Sequence, residues 1–404
     1  MSSGARHVVI LDENLPVPLD RRVWLTAQTL AEAGYQVTVI APRGKGDMGR
    51  LVEHRDGIRL LRYPQRAASG LAGYLIEYPP SFAFTAAWLL ALRIRGPVDI
   101  LHGCNPPDLF FLLARVARLW GARYVYDQHD ANPELATTKW GDRRLGRLLV
   151  RLTTAFERAS YHAAAAVIVP NDSYANLALT RGGRAPEDVA VVPNAPPAGG
   201  FRELAGATTP SADGQFRIGY LGVMGSQDGV EILVDAIAAL RADRPGIDVR
   251  LDLVGDGEAR PALERRAADA GLGDRVVFHG YRAAEEFVPI LARADVCVSP
   301  DPPTPFNDIS TMTKVVEYLA IGRPVVAFDL AETRRLVGSG GTIVAEPTAA
   351  ALAAELARLA DDRVALGRLT DAAGGRFAQL DLGWEHSAER LLAVYDRVAK
   401  GSSA

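Results

Sequence analysis

Cysteine is almost absent from this 404-residue chain: only Cys104 and Cys297 occur, far apart in the sequence. Two such residues argue against a disulfide framework and suit a reducing compartment, and no Cys/His group stands at metal-ligand spacing. Lysine is nearly as scarce. Lys45, Lys139, Lys314 and Lys400 are the whole complement, so the basic charge is overwhelmingly arginine. Long apolar runs are missing too. The strongest, Phe82 to Leu92, is too short to span a bilayer, and the start, MSSGARHVVILDEN, holds no apolar core of signal-peptide length before its charges. The expectation is a soluble, cytoplasmic protein. Net charge is only −3, which speaks against nucleic acid as a partner. The loop after the first expected strand lacks GxGxxG, so a dinucleotide fingerprint is absent there.

What is present is apolar material for large cores, 48% of residues, in a chain long enough for two domains. Charge is unevenly spread. Residues 1–200 hold 23 Lys/Arg against 18 Asp/Glu, and the remainder 22 against 30, which suggests halves facing different partners. Apolar runs at His7 to Leu11, Gln36 to Ala41, Ile58 to Tyr63, Val98 to His102, Arg123 to Asp127, Ala165 to Val169 and Val189 to Val192 read as strands. Helical periods stand between them, the first capped by Asp20. A Pro/Gly/Ala/Ser-rich stretch follows, and strands and helices then alternate again from Phe216. Two doubly wound α/β domains are expected: an N-terminal one over 1–200, a linker over 201–214, a second domain over 215–383, and a C-terminal helix over 384–404 returning to the first.

The most informative stretch is VCVSPDPPTPFNDISTMTKVVEYLAIGRPVVAFD, Val296 to Asp329. It reads as strand, proline-rich loop, helix and strand, and it sets the helix start at the carboxyl edge of a parallel sheet, where such folds bind ligands. Ser310 or Thr311 can cap that helix, whose N-terminus favours a phosphate. Lys314 and Glu317, three apart, share a helical face: a cation for phosphate and a carboxylate for sugar hydroxyls, or else a plain surface ion pair. Gly222, Gly255, Gly280 and Pro300 fall on the same edge and either let backbone approach a nucleotide or only make tight turns. In the first half, LHGCNPPD and YDQHDANPE follow strands and bring His102, Asp127, His129 and Asp130 to one edge. There they orient an acceptor hydroxyl, or they cap the next helix as satisfied polar groups. Arg21 and Arg22, at a helix start, attract phosphate or are solvated. The segment Trp140 to Ser160 reads as one amphipathic helix with Arg143, Arg147 and Arg151 at four-residue intervals. It lies on an anionic membrane surface or is an ordinary helix with a solvated basic face.

These motifs, with VPLDRRVWLTAQTLAEAGYQVTVIAPRG, VPNDSYANLAL, YLGVMGSQDGVEILVDAI and LVGDGEARPAL, resemble a bacterial subgroup of the retaining family 4 glycosyltransferases over most of the chain. The resemblance implies the GT-B fold of two facing Rossmann-like domains with a cleft between them. It implies transfer of a hexose-type unit from a nucleoside diphosphate sugar to an acceptor hydroxyl, with no metal or other cofactor. The acceptor is lipid-linked, in surface-glycan synthesis, or a small molecule in natural-product synthesis. Glu317 becomes the second acid of an E-x7-E motif, on the ribose. Ser310, Thr311 and Met312 approach the diphosphate by backbone, Gly222 and Gly225 line the first donor loop, and Gly280, Tyr281 and Arg282 flank the base. His102 lies near the transferred sugar, with Cys104, His129, Asp130, Arg21 and Arg22 on the acceptor side. Three positions depart from the pattern. Ile309 stands where the first acid belongs, with Asp308 one residue before it. Val223 and Asp228 replace an Arg and a Lys that hold diphosphate, so Lys314 is expected to take that part. Cys104 replaces a second His. The departures leave open a nucleotide-sugar epimerase, or a nucleotide-sugar-binding protein without turnover.

Overall fold

The computed structural model describes residues 5–44, 49–65, 70–141, 144–196, 200–206, 214–225 and 227–400, without the side chains of 70–76. The chain forms two compact units, Met1–Pro193 with Ser387–Ala404, and Asn194–His386.

The first unit runs β1 (His7–Leu11), α1 (Arg21–Glu32), β2 (Gln36–Pro42), β3 (Val52–Arg55), β4 (Ile58–Tyr63), α2 (Gly70–Arg95), β5 (Ile100–Cys104), α3 (Phe111–Arg118), β6 (Arg123–Asp127), α4 (Asn132–Trp140), α5 (Arg144–Ala163), β7 (Ala166–Val169), α6 (Asp172–Thr180) and β8 (Val189–Val191). Its sheet has the order β3-β4-β2-β1-β5-β6-β7-β8, and only β3 is antiparallel to its neighbour. Every residue of β1 is buried, as a central parallel strand covered on both faces requires. The Asp20 carboxylate caps α1 by accepting from the Val23 amide at 3.0 Å.

The second unit contains α7 (Gly200–Ala205), β9 (Phe216–Leu221), α8 (Val230–Asp243), β10 (Val249–Val254), α9 (Arg260–Asp269), β11 (Val276–Gly280), α10 (Ala284–Ala292), β12 (Val296–Ser299), α11 (Pro305–Ile309), α12 (Thr313–Ile321), β13 (Val325–Phe328), α13 (Ala331–Val337), β14 (Gly341–Val344), α14 (Ala349–Asp361) and α15 (Arg363–Gln379). The six strands are all parallel, in the order β11-β10-β9-β12-β13-β14. The last helix, α16 (Trp384–Lys400), contributes Ser387 onward to the first unit. Both units are Rossmann-like.

Several elements differ from expectation. The Trp140–Ser160 segment is not one helix: α4 ends at Trp140 and α5 begins at Arg144, while Arg143 lies outside the described residues. The helix expected from Phe82 starts at Gly70 and carries Pro79 and Pro80 within it. Nor is its apolar run all core, for Leu89 and Leu92 are buried whereas Phe84, Leu90 and Ile94 are exposed. Part of the expected linker, Gly200–Ala205, is helical because Phe201 finds a burial site, edge-on to Phe287 at 5.5 Å.

Candidate functional site

Parallel strands deliver all their carboxyl ends to one edge, so in the second unit the loops after β9, β10, β11 and β12 converge there. Backbone contact is very close. A Cβ on Gly255, at φ +128°, would meet the Gly222 carbonyl oxygen at 1.8 Å, and the Gly255 amide bonds Gly280 O at 2.9 Å. At this position only glycine fits.

Above those glycines sits the start of α12. Its N-cap residue is Met312, not Ser310 or Thr311. Ser310 ends α11 and turns its hydroxyl back to Phe306 O at 2.7 Å. The N-cap side chain therefore makes no capping bond, as a thioether cannot supply the hydroxyl or carboxylate that caps a helix. Lys314 and Glu317 are both buried, so they are not a solvated surface pair. Lys314 is already engaged. Its Nζ donates to Asp301 Oδ1 at 2.7 Å, lies 3.9 Å from Asp228 Oδ1 and stands 5.2 Å over the Tyr220 ring. Burial alone would lower its pKa, but Asp301, Tyr220 and Asp228 together raise it, so the ammonium stays charged. The Ser299 hydroxyl donates to the other oxygen of Asp301. Asp301 was invisible to motif reading because it sits in a proline loop that carries no helical or strand period. Its burial next to a lysine is the only signal, and that signal is three-dimensional.

The remaining donor-side candidates spread along the same edge. The Gly225 amide bonds Asp228 Oδ2 at 2.9 Å, and burial raises the Asp228 carboxyl. Tyr281 and Arg282 are exposed, the latter 3.3 Å from Glu286 Oε1. Asp308, on α11, accepts from the Ala331 amide at 2.8 Å and so caps α13. That bond ties Asp308 to α13, while Ile309 is half-buried.

In the first unit the candidates converge on Asp127, at the end of β6. Its Oδ1 accepts Arg22 Nη2 at 2.7 Å; its Oδ2 accepts Arg22 Nε at 3.2 Å, His129 Nε2 at 3.0 Å and His102 Nε2 at 3.3 Å. Burial works to raise this carboxyl, but Arg22, His129 and His102 outweigh it and hold it well below the usual range. His129 is the converse case: burial works against its charge, and Asp127 raises it. His102 is wholly buried and spends its other nitrogen on the Tyr395 hydroxyl at 2.8 Å. It thus braces α16 rather than opening to substrate, while half-buried His129 and Asp130 are the accessible members. Arg22 is buried and also donates to Val192 O at 2.8 Å, so it anchors Asp127, while its neighbour Arg21 is exposed. Burial pushes the Cys104 thiol far up and keeps it protonated. His102, Cys104 and Asp127 lie within 4.8 Å of one another, yet a cation there would compete with Arg22 and face an un-ionised thiol.

Asn105 organises the rim: its side-chain oxygen accepts from the amides of His129 at 2.6 Å and Asp130 at 3.1 Å. Asp12 and Glu13, after β1, belong to the same edge and are buried. Sequence reading passed over them as an ordinary loop.

Comparison with known proteins agrees for both units. The model described as "Glycosyl transferase 4-like domain" matches residues 19–195, and that described as "Glycosyl transferases group 1" matches 215–362. The chain is 28% identical over 399 residues to 2-deoxystreptamine glucosyltransferase of Streptomyces kanamyceticus, covering 92% of this chain and 97% of that one. Among solved structures, sucrose-phosphate synthase from Thermosynechococcus elongatus superposes with a TM-score of 0.78 at 19% identity, over 98% of this chain and all (100%) of the other. HepE from Anabaena, in complex with UDP and glucose, gives 0.70 at 17% identity, over 97% and 100%. At these identities the structural matches establish the fold, which is GT-B.

Proposed function

The chain belongs to the GT-B glycosyltransferases, and from that premise we propose that it moves a hexose from a nucleoside diphosphate sugar to an acceptor hydroxyl with retention at the anomeric carbon. The observation that carries this reading is the start of α12: an N-terminus without a side-chain cap, a charged buried lysine and a buried glutamate, all above Gly255, which admits no Cβ. Diphosphate binds at the α12 amides, and Glu317 takes the ribose hydroxyls. Lys314, steadied by Asp301, adds positive potential where leaving-group charge develops. The leaving phosphate itself accepts the acceptor proton, so no strong side-chain base is needed. The acceptor binds to the first unit, beside His129 and Asp130. The complex of HepE with UDP and glucose, and a relative named for glucosyl transfer, support the donor class.

The test is incubation with UDP-, GDP- and dTDP-hexoses and a panel of lipid-phosphate and small polyol acceptors. Transfer with an unchanged anomeric configuration is the expected result. An isomerised donor, or binding without turnover, would overturn it in favour of an epimerase or a binding protein.

Among the described residues no helix is long and apolar enough to cross a membrane. Peripheral contact is another matter. Helices α3 and α5 expose Leu112, Val116, Leu145, Leu148, Leu152 and Phe156 beside Arg115, Arg118, Arg147 and Arg151. The acid of α5, Glu157, is buried against Arg181 at 2.8 Å. We read this face as lying on an anionic lipid surface. Arg147→Gln with Arg151→Gln should weaken flotation with phosphatidylglycerol vesicles roughly 30-fold, at about 1 kcal/mol per arginine. Salt-insensitive flotation, or none for the native chain, would count against it.

A further inference from the structure

The first unit buries more carboxyl groups than it pairs with a cation. Asp127 has Arg22 and two histidines, and Glu157 has Arg181. Among the described residues Asp12 and Glu13 have no such partners. Both are buried, at 1% and 2% exposure, and Asp12 Oδ2 and both carboxylate oxygens of Glu13 accept no hydrogen bond. Asp12 Oδ1 takes the Asn14 amide at 3.0 Å. The nearby Ser81 hydroxyl donates to Glu77 O at 2.9 Å. Gln65 Nε2 bridges Glu13 O at 3.0 Å and Glu77 Oε1 at 2.9 Å, which sets a third carboxylate against the pair.

Unpartnered buried carboxyl oxygens cost free energy unless something donates to them. Burial, then Asp20, pushes Asp12 up to about 8, against the Asn14 amide and His129. Burial pushes Glu13 up to about 8 as well, with Glu77 and Asp12 adding to it and Ser81 opposing. Around the pair lie half-buried Glu77 and Gln65, exposed Asn14, buried Tyr63, Ser81, Asp20 and Cys104, and half-buried His129. Among the described residues no Lys or Arg is paired with them.

We propose that Asp12 and Glu13 form the subsite for an ammonium group on the acceptor, so that the sugar is transferred to a hydroxyl of an amino-bearing polyol. This rests on the first unit being the acceptor side. An ammonium has three donors, which matches the three unpartnered oxygens, and its charge offsets the two acids as they ionise. Neutral acceptors leave both acids unpaired and are disfavoured. A divalent cation would use the same oxygens but would not depend on the acceptor amine.

Calorimetric titration of the full-length protein with amino sugars and aminocyclitols, each beside its N-acetylated counterpart, tests this without requiring turnover. The amines should bind about tenfold tighter or more, and they should release protons, seen as a heat that varies with the buffer. In Glu13→Gln and Asp12→Asn the preference should collapse, with nucleoside diphosphate affinity serving as the check on folding. Equal affinity for the two series, or a preference that survives both variants, would each overturn the subsite. Failure of sugar transfer with amine preference intact would overturn the transferase reading alone.

Discussion

Glu317→Ala should cost the protein about 10- to 150-fold in nucleoside diphosphate sugar affinity, a net loss equal to one charge-assisted hydrogen bond at about 1.5–3 kcal/mol. Glu317 stands one turn into α12, buried, on the helix whose first amides and Lys314 address the diphosphate in our reading. A carboxylate there accepts both ribose hydroxyls at once. The loss should therefore appear equally for the free nucleoside diphosphate and for the sugar nucleotide, because the ribose is common to both. Glu317→Gln, which keeps the shape and one acceptor, should recover part of it and guards against a mere packing defect. Titration of donor and of nucleoside diphosphate against the three proteins decides the matter, and unchanged affinity in Glu317→Ala would remove the ribose from this helix.

Lys314 sharpens the same picture. Read from spacing, it is a free cation awaiting phosphate; in the fold it is held by Asp301 with Asp228 close by. A lysine already paired adds less attraction than an unpaired one, but it is pre-oriented, and the helix N-terminus supplies the rest of the positive potential. The arginine and lysine missing from the β9–α8 loop are thus not replaced one for one. Asp228 in that loop instead joins the acids around Lys314.

How far the sequence carried can be seen element by element. Strands such as β1, β7 and β13 announce themselves by unbroken apolar runs, because both faces of a parallel sheet are covered. The α12 site was legible for the same reason, since a strand end, a loop and a helix start are adjacent in the chain. What escaped depends on contacts between distant segments. β3, VEHR, has no apolar period because it is a largely exposed edge strand registered only by pairing with β4. The Met312 cap defeated the usual preference for Ser or Thr, since α11 consumes Ser310. Asp12, Glu13 and Tyr395 look like loop and helix surface until the sheet edge gathers them.

Asp127→Asn should be the most damaging single change to the first unit, at about 3–5 kcal/mol, because it strands Arg22 in a buried site. For a unit of this size that is a fall of about 10 °C in its thermal midpoint. The pH dependence carries a sign that packing loss would not produce. In the native protein His129 has a pKa raised above its unfolded value of 6.5, so its stabilisation is complete below pH 6.5 and is lost as pH rises through the higher folded value. Asp127, depressed below 3.8, contributes above that pH and loses it only in stronger acid, so it is constant through the neutral range. In the asparagine variant His129 keeps its burial and the nearby Arg22 without the carboxylate, and its pKa falls below 6.5. The His129 contribution then declines as pH drops through that region, where in the native protein it holds steady. The gap between the two proteins should therefore be widest on the acid side of pH 6.5 and narrow above it. Denaturant midpoints at pH 5.5 to 8.5 would measure this, and a gap independent of pH would show that Asp127 serves Arg22 alone, with His129 neutral throughout.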